Sequence, residues 1–253
     1  MSSDDINCET STISKQNIKP EGIPWEPIYS SIRSDRLWPT DPTIDKFNTQ
    51  LWKQEGVKIV LDAGCGDGKN LAWLLAQGFF GVGVDASDSA LEKCEEYLDH
   101  QGFKNCYILL KPSSLETLPF NQGGLSGAIC IDVLGHNQQP EGILAELARI
   151  IKPGGLLYIS LFHPADSCRL GPRMREGEKT GEYWYTPSLP NRANPKLEYY
   201  YRFYTKSAIQ HLLQPLPLEI LSLEQREWTE PPHEVYREEE HVHVSWFVLL
   251  RRT

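Results

Sequence analysis

The sequence has no long apolar run, no paired cysteine motif and no excess of basic charge, and each absence excludes a class of protein. No apolar stretch approaches the ~20 residues of a membrane-spanning helix. The six cysteines form no C-x-x-C pair, which disfavours a disulfide scaffold and favours a reducing compartment. A net charge of −9 leaves no electrostatic footprint for nucleic acid. The polar N-terminus also lacks the apolar segment of a signal peptide. We therefore expect a cytoplasmic protein without a membrane or nucleic-acid partner.

Composition divides the 253 residues into a tail and one domain. Residues 1–20, rich in Ser, Asp, Thr and Asn, predict a disordered tail. Residues 21–253 are long enough for a single α/β domain with elaborations, here an N-terminal arm at 21–56 and an aromatic-rich insert at 163–204. Between arm and insert, strand and helix patterns alternate, which predicts βαβ units and a mainly parallel sheet.

The expected elements follow from apolar runs bounded by turn residues. Strands are expected at Lys58–Asp62, Gly81–Asp85, Cys106–Leu110, Gly127–Asp132 and Leu156–Phe162. Helices are expected at Thr43–Gln54, Lys69–Gln77, Ser87–His100, Pro140–Ile151 and Thr205–Leu213. Two alternating runs, Leu218–Trp228 and His241–Arg251, predict an antiparallel hairpin at the C-terminus.

A glycine-rich turn follows the first expected strand and carries the main functional signal. After Asp62 the chain has glycine at 64, 66 and 68, and a helix pattern begins at Lys69. Glycines there let the backbone turn sharply and let a ligand lie against bare main chain. The second strand ends in Asp85, nineteen residues after Gly66. A carboxylate at this strand tip can accept both ribose hydroxyls, so the pattern indicates a nucleoside cofactor.

The spacing of the glycines distinguishes between nucleoside cofactors. A dinucleotide fingerprint has its third glycine three residues after the second, where this chain has Lys69. The pattern acid-x-G-x-G-x-G instead resembles motif I of the class I S-adenosylmethionine-dependent methyltransferases. Three further stretches resemble that family in order and spacing: Val82–Ser87, Leu118-Pro119-Phe120 and Ile151–Leu157. The resemblance covers roughly residues 40–162. It implies a Rossmann-like seven-stranded α/β fold, with a mainly parallel sheet, an antiparallel C-terminal hairpin and helices on both faces.

The resemblance also implies which residues hold S-adenosylmethionine or its product S-adenosylhomocysteine. They are Asp62, Ala63, Gly64, Gly66, Gly68, Asp85, Ala86, Ser87, Ser114, Leu115, Asp132 and Val133. Asp62 would accept from the ammonium group of the cofactor, and Asp85 would hold the two ribose hydroxyls. One departure is Ser114, which stands where the family often has an Asp for the adenine amino group. A hydroxyl can still accept that hydrogen bond.

Two histidines are candidates for a general base. His136 and His163 follow the fourth and fifth expected strands, at the carboxyl edge of the sheet where α/β ligands bind. An oxygen or nitrogen acceptor can require a base at this position, whereas a soft nucleophile needs little proton removal. Each histidine could equally cap its strand, so the role of both stays open at this point.

Aromatic residues are concentrated in two stretches outside the alternating pattern. Eight aromatic side chains fall between Tyr183 and Tyr204, in an insert without a regular period. We interpret this insert as a lid over the acceptor, since long irregular inserts are usually functional or disordered. An additional strand pair or a dimer contact is the alternative. Trp25, Tyr29 and Trp38 predict an arm that either covers the cofactor or only anchors the N-terminus.

A histidine cluster near the C-terminus raises the question of a metal. His233, His241 and His243 lie near several glutamates, and the latter two share one face of a strand. A similar stretch occurs in methyltransferases of the tellurite-resistance type, so no metal is expected. We predict a methyltransferase of small molecules, with a homodimer possible. The alternatives are a protein or RNA methyltransferase and a non-catalytic domain that binds the cofactor.

Overall fold

The fold is that of a computed structural model, which describes residues 25–31, 49–112, 114–166, 178–180, 183–190, 198–230 and 240–253. The helices in these ranges are α1 Glu26–Ser31, α2 Thr49–Gln54, α3 Lys69–Ala76, α4 Asp88–His100, α5 Pro140–Ile150 and α6 Lys206–Leu213. The strands are β1 Ile59–Ala63, β2 Phe80–Val84, β3 Tyr107–Leu110, β4 Leu125–Cys130, β5 Ile151–Phe162, β6 Glu178–Thr180, β7 Tyr183–Pro190, β8 Glu198–Tyr204, β9 Leu218–Glu230 and β10 His241–Arg252. Among the described helices, none has the length and apolar character to cross a membrane.

Seven of the strands form the expected sheet. Their order is β3-β2-β1-β4-β5, all parallel, followed by β10 and β9, which pair antiparallel. Apolar side chains alternate between the two faces of this sheet. Val60 belongs to the apolar cluster that includes Trp52 of α2 and Leu74 of α3, and Leu61 belongs to the cluster that includes Leu144 of α5. The predicted parallel sheet, the C-terminal hairpin and helices on both faces are confirmed.

Within its described residues the insert adds three strands, so our description of it as irregular was wrong. β6, β7 and β8 form an antiparallel meander, and β8 joins the main sheet where Phe203 pairs with Phe162 of β5. Phe162 pairs with Ser245 of β10 on its other edge. β8 therefore lies on the edge of β5 that carries β4, beyond the point where β4 ends. The insert is positioned above the carboxyl end of β4, where a short 3-10 helix, Leu134–His136, follows that strand.

Two boundaries differ from the sequence expectation for a local reason. β5 begins at Ile151 rather than Leu156, and β4 begins at Leu125 rather than Gly127. Leu125 pairs with Ile151 and Gly127 pairs with Leu156, so three additional residues of β5 bulge between the two pairs. Gly154, with φ of 81°, accommodates the bulge. The expected tail at 1–20 and the first part of the expected helix at Thr43–Gln54 lie outside the described residues.

Candidate active site

The turn after β1 brings bare backbone against two other elements. A Cβ atom at Gly64, whose φ is 83°, would lie 2.3 Å from Cγ2 of Val133, the residue before the 3-10 helix. A Cβ at Gly66 would lie 2.5 Å from the hydroxyl oxygen of Tyr29 in α1. Only glycine allows approaches this close at positive φ. The loop of Gly64, Gly66 and Gly68 is therefore enclosed by the end of β4 and by the N-terminal arm.

Asp85 connects the ends of β1 and β2. Its Oδ2 accepts from the Gly66 amide at 3.0 Å, and its Oδ1 accepts from the Ser87 amide at 2.9 Å. Burial raises the pKa of Asp85, and the hydrogen bonds from these amides oppose that rise. Each carboxylate oxygen keeps a further lone pair. The side chain is thus fixed in orientation and still able to accept from a diol.

Asp62 is a buried carboxylate near the end of β1, just before the glycine loop. It is 1% exposed, and neither carboxylate oxygen has a hydrogen bond among the described residues. Burial, together with the negative charges of Asp85 and Asp67, raises the pKa of Asp62 to about 8. An unpaired polar group in this position is costly for the fold unless something binds it. The ammonium group of S-adenosylmethionine fits this requirement, and Ala63 and the glycine loop continue directly from Asp62.

The residues predicted to lie beside the adenosine follow β2 and β3. Ala86 follows Asp85, and Ser87 caps α4 by accepting from the Ala90 amide at 3.0 Å. Ser114 lies in the loop after β3, where its hydroxyl accepts from the Glu116 amide at 3.0 Å, and Leu115 packs against the main apolar core. A hydrogen bond within the same turn therefore fixes the position of the Ser114 hydroxyl.

The end of β4 has an unusual backbone. Asp132 has a φ of 54°, a left-handed conformation that is costly for a residue other than glycine. Ser160 of β5 stabilises it: the Asp132 amide donates to the Ser160 hydroxyl at 2.7 Å, and that hydroxyl donates to Oδ1 of Asp132 at 3.3 Å. Val133 comes next and packs against Gly64. The structure thus brings Asp132 and Val133 to the glycine loop.

His136 lies in a cluster of aromatic rings. Its ring centroid is 4.8 Å from that of Trp25, 4.9 Å from that of Phe162 and 4.9 Å from that of Tyr201, each nearly perpendicular to it. We call these four residues the aromatic cluster. The rings come from the arm, the 3-10 helix, β5 and β8, so the cluster joins the arm and the insert above the end of β4.

His163 lies on the other side of β5. Its Nδ1 accepts from the Ala165 amide at 2.9 Å, and its ring centroid is 4.7 Å from that of Trp246 in β10. Burial lowers the pKa of His163, and the charge of Asp166 opposes this. The neutral ring therefore carries its proton on Nε2, and its only lone pair on nitrogen is engaged by Ala165. The two candidate bases are not brought together.

The C-terminal histidines have structural contacts. Nδ1 of His243 is 3.0 Å from Oδ2 of the buried Asp166, which also accepts from the Val244 amide at 3.1 Å. The ring of His241 is 4.8 Å from that of His243. His233 lies outside the described residues. Within the part of the chain that the structure describes, no three His, Cys, Asp or Glu side chains are grouped closely enough to hold a metal ion.

Sequence reasoning missed Phe162 and Glu26 as residues near the site. Phe162 ends an apolar strand and has the pattern of a core residue, so only the ring contact with His136 reveals its position. Glu26 contacts Ser87 and Ser89, which follow it by 61 and 63 residues. The aromatic residues Trp25 and Tyr29 were the only local signal that this part of the arm packs over the site.

Comparison with known proteins supports the resemblance to methyltransferases. Residues 61–159 match the family model described as a methyltransferase domain. The ubiquinone biosynthesis O-methyltransferase of Rickettsia canadensis is 27% identical over 196 residues, which cover 76% of this chain and 75% of that one. Enzymes of the same name from three other bacteria match over 43% to 44% of their length.

Solved structures show the fold. One that concerns the conversion of a disulfide bond into a thioacetal group during echinomycin biosynthesis has a TM-score of 0.62 at 17% identity, with 90% of both chains covered. The 1,6-didemethyltoxoflavin-N1-methyltransferase of Burkholderia thailandensis, solved with its substrate and S-adenosylhomocysteine, has a TM-score of 0.55 at 17% identity, with 89% of this chain and 81% of that chain covered. Residues 61–159 thus match the methyltransferase domain, the chain has the fold of S-adenosylmethionine-dependent methyltransferases, and its cofactor is S-adenosylmethionine.

Proposed function

We propose that this protein transfers the methyl group of S-adenosylmethionine to an oxygen atom of a small-molecule acceptor. The observation that carries the proposal is the aromatic cluster, which places one imidazole among three rings directly after the strand end that carries Asp132 and Val133. A small planar or apolar acceptor suits such surroundings better than a charged polymer does. The relatives named O-methyltransferases support the choice of oxygen.

The donor half of the site consists of residues that position the cofactor. Asp62 would accept from its ammonium group, Asp85 from its ribose hydroxyls, and the glycine loop would lie under its methionine part. When bound, S-adenosylmethionine supplies a methyl group on a positively charged sulfur, which a nucleophile can attack in line. The protein then has mainly to align the acceptor at about 3 Å and to keep water away.

The acceptor half is formed by the arm and the insert. Phe203 of β8 is buried and pairs with Phe162, and Tyr201 contacts the ring of His136. We propose that the insert at 163–204 acts as the cover of the acceptor, with residues 25–31 closing the other side. The strands of the insert support this role because they give the cover a fixed frame above the end of β4.

His136 is the proposed general base. It lies beside Asp132 and Val133, and its surroundings are aromatic, so a neutral imidazole there can take the proton of an acceptor hydroxyl. His163 is the weaker candidate because its available nitrogen lone pair accepts from Ala165, and its ring faces β10. A base at His163 would first have to break that hydrogen bond.

The test is methyl transfer from labelled S-adenosylmethionine to a panel of acceptors: phenols, catechols, small carboxylates, small thiols, total protein and total RNA. We expect label on hydroxylated small molecules. His136→Gln should lower turnover ~10²-fold or more while the affinity for S-adenosylhomocysteine stays unchanged. His163→Gln is the matched control and should keep turnover within a few-fold of the wild type.

Three results would contradict the proposal. Label found only on protein or RNA would remove the small-molecule acceptor. Label found only on thiols, with both histidine variants active, would indicate a soft nucleophile that needs no base. A bound cofactor with no transfer to any member of the panel would favour a non-catalytic domain.

A further inference from the structure

Glu26 of the arm makes hydrogen bonds that link the arm to the cofactor half of the site. Oε2 of Glu26 accepts from the Ser87 hydroxyl at 2.6 Å, and Oε1 accepts from the Ser89 hydroxyl at 2.6 Å. The Ser89 amide lies 3.4 Å from Oε2. Both serines belong to the first turn of α4, whose cap is Ser87. The carboxylate therefore lies at the positive end of a thirteen-residue helix.

Glu26 is charged in this position at neutral pH. Partial burial alone would raise its pKa, but the hydrogen bonds from Ser87 and Ser89 lower it overall, against a small opposing effect of Asp88. Hydrogen bonds to an ionised carboxylate are roughly twice as strong as those between neutral groups. These contacts are thus charge-assisted hydrogen bonds that link the arm to the first turn of α4.

The same short segment reaches three strand ends. We call residues 25–31 the strap. Glu26 contacts the residues after β2, the hydroxyl of Tyr29 lies against Gly66 after β1, and Trp25 contacts His136 after β4. Asp85 lies between two of these contacts, because its carboxylate accepts from both Gly66 and Ser87. The strap consequently spans the ribose position of the cofactor and ends on the proposed base.

Helix formation alone does not hold the strap in place. α1 has six residues, which is far below the length at which a helix is stable by itself in water. Its position must come from its side-chain contacts, and the Glu26 carboxylate supplies two short charged hydrogen bonds. Loss of these bonds would release the strap from the first turn of α4, next to Asp85.

We propose that Glu26 is a positioning residue that latches the strap over the bound cofactor and thereby limits how fast S-adenosylhomocysteine leaves. The proposal rests on the proposed function, in which Asp85 accepts from the ribose hydroxyls of the cofactor. Exchange of product for donor requires the strap to open, and opening requires the Glu26 bonds to Ser87 and Ser89 to break. Through Trp25, the same latch sets the position of His136 when the site is closed.

The experiment measures two quantities for wild type, Glu26→Ala, Glu26→Gln, Ser89→Ala and the Glu26→Ala/Ser89→Ala double variant. One is the dissociation rate of S-adenosylhomocysteine by stopped flow, and the other is amide hydrogen exchange of residues 25–31 without ligand. Asp88→Asn is the matched control. The Asp88 carboxylate lies between Ser87 and Ser89 in the sequence, but it pairs with Lys111 and not with the strap.

We expect dissociation to be about tenfold faster or more in Glu26→Ala, and a few-fold faster in Glu26→Gln and Ser89→Ala, since a charged hydrogen bond is worth more than a neutral one. The Glu26→Ala/Ser89→Ala double variant should be no faster than Glu26→Ala, because both changes break the same link. Strap amides should exchange faster in the same order. Asp88→Asn should remain within about twofold of the wild type for both quantities, on the scale of an exposed surface charge.

Three outcomes would overturn the latch. Dissociation and strap exchange within twofold of the wild type in both Glu26→Ala and Ser89→Ala would show that the contacts do not hold the strap, while the proposed methyl transfer would stand. Additive effects in the double variant would show that the two residues act separately. If wild-type protein fails to bind S-adenosylhomocysteine at all, the proposed function and the latch both fail.

Discussion

At the scale of one residue, the buried carboxyl group of Asp62 reduces the stability of the ligand-free protein. Its pKa is raised to about 8 by burial and by the charges of Asp85 and Asp67, so the folded chain holds a proton that the unfolded chain loses near pH 4. The folded state thus binds more protons than the unfolded state between these values. Asp62 therefore lowers the stability of the ligand-free protein as the pH rises from about 4 to about 8.

Asp62→Asn should stabilise the ligand-free protein above pH 5, because it removes this proton linkage. The gain in unfolding free energy should grow with pH by up to about 1.4 kcal/mol per pH unit and should level off near pH 8. Denaturant unfolding at pH 5, 6, 7 and 8 measures it. A difference between variant and wild type that stays constant over this range would contradict the raised pKa.

The same substitution should change how binding depends on pH. In the wild type, Asp62 must lose its proton to pair with the ammonium of S-adenosylhomocysteine, so affinity should rise up to about tenfold per pH unit below pH 8. Calorimetry from pH 6 to 8 should show this slope in the wild type and weaker, nearly pH-independent binding in Asp62→Asn. Equal slopes in both proteins would place the ammonium group elsewhere.

Gly64→Ala tests the close approach of the loop to the end of β4. Gly64 and Gly78 both have positive φ, so alanine at either position should cost roughly 1–2 kcal/mol of stability. Only Gly64→Ala also places a Cβ against Val133, whereas a Cβ at Gly78 has nothing within 4 Å. We expect loss of S-adenosylhomocysteine affinity in Gly64→Ala alone, measured by calorimetry. A similar loss in Gly78→Ala would mean that general destabilisation causes it.

The prediction of the donor-side residues depends on local patterns, which lie close together in the chain. The alternation of glycines, the acid before them and the acid at the end of the second strand are all readable within about 25 residues. Glu26 was not predictable in this way. Its partners lie more than 60 residues later, and a Glu in a polar arm has the pattern of an ordinary surface residue.

At the scale of elements, the sequence predicted strands and helices well where turn residues end them and poorly where a strand continues through such residues. Pro153, Gly154 and Gly155 favour a turn, yet they lie within β5 as a bulge beside β4. The meander of the insert depends on pairing between distant segments, such as Phe162 with Phe203. Such pairing leaves no periodic signal in the sequence, and prolines within the insert conceal its strands.

Tyr201→Ala tests whether β8 serves the acceptor. Removing the ring opens the aromatic cluster at His136 and leaves Asp62, Asp85 and the glycine loop in place. The KM for the acceptor should rise about tenfold, the scale of ~1.4 kcal/mol of lost aromatic contact, while the affinity for S-adenosylhomocysteine stays within twofold.

Tyr107→Ala is the control for that substitution, because Tyr107 lies on β3 at the far edge of the sheet and donates to Asp99. It should change neither the KM nor the affinity for S-adenosylhomocysteine. Loss of cofactor affinity in Tyr201→Ala equal to the rise in KM would show that β8 supports the whole site and not the acceptor in particular.

At the scale of the whole molecule, the family match covers the donor half of the site more fully than the acceptor half. The family match at residues 61–159 contains the glycine loop, Asp85 and the end of β4. The strap and the strands β6, β7 and β8 lie outside it, as do His163 and Tyr201. The family match therefore accounts for the donor side of the site, whereas most of the elements proposed to hold the acceptor lie outside it.

Binding of S-adenosylhomocysteine by calorimetry, in wild type and Asp85→Ala, tests the central claim most directly. We predict binding of one molecule per chain, with Asp85→Ala weaker by roughly 1.5–3 kcal/mol, the scale of lost hydrogen bonds to a charged group. NAD should not bind, because Lys69 replaces the third glycine of the dinucleotide loop. An unchanged affinity in Asp85→Ala, or no binding by the wild type, would contradict the account.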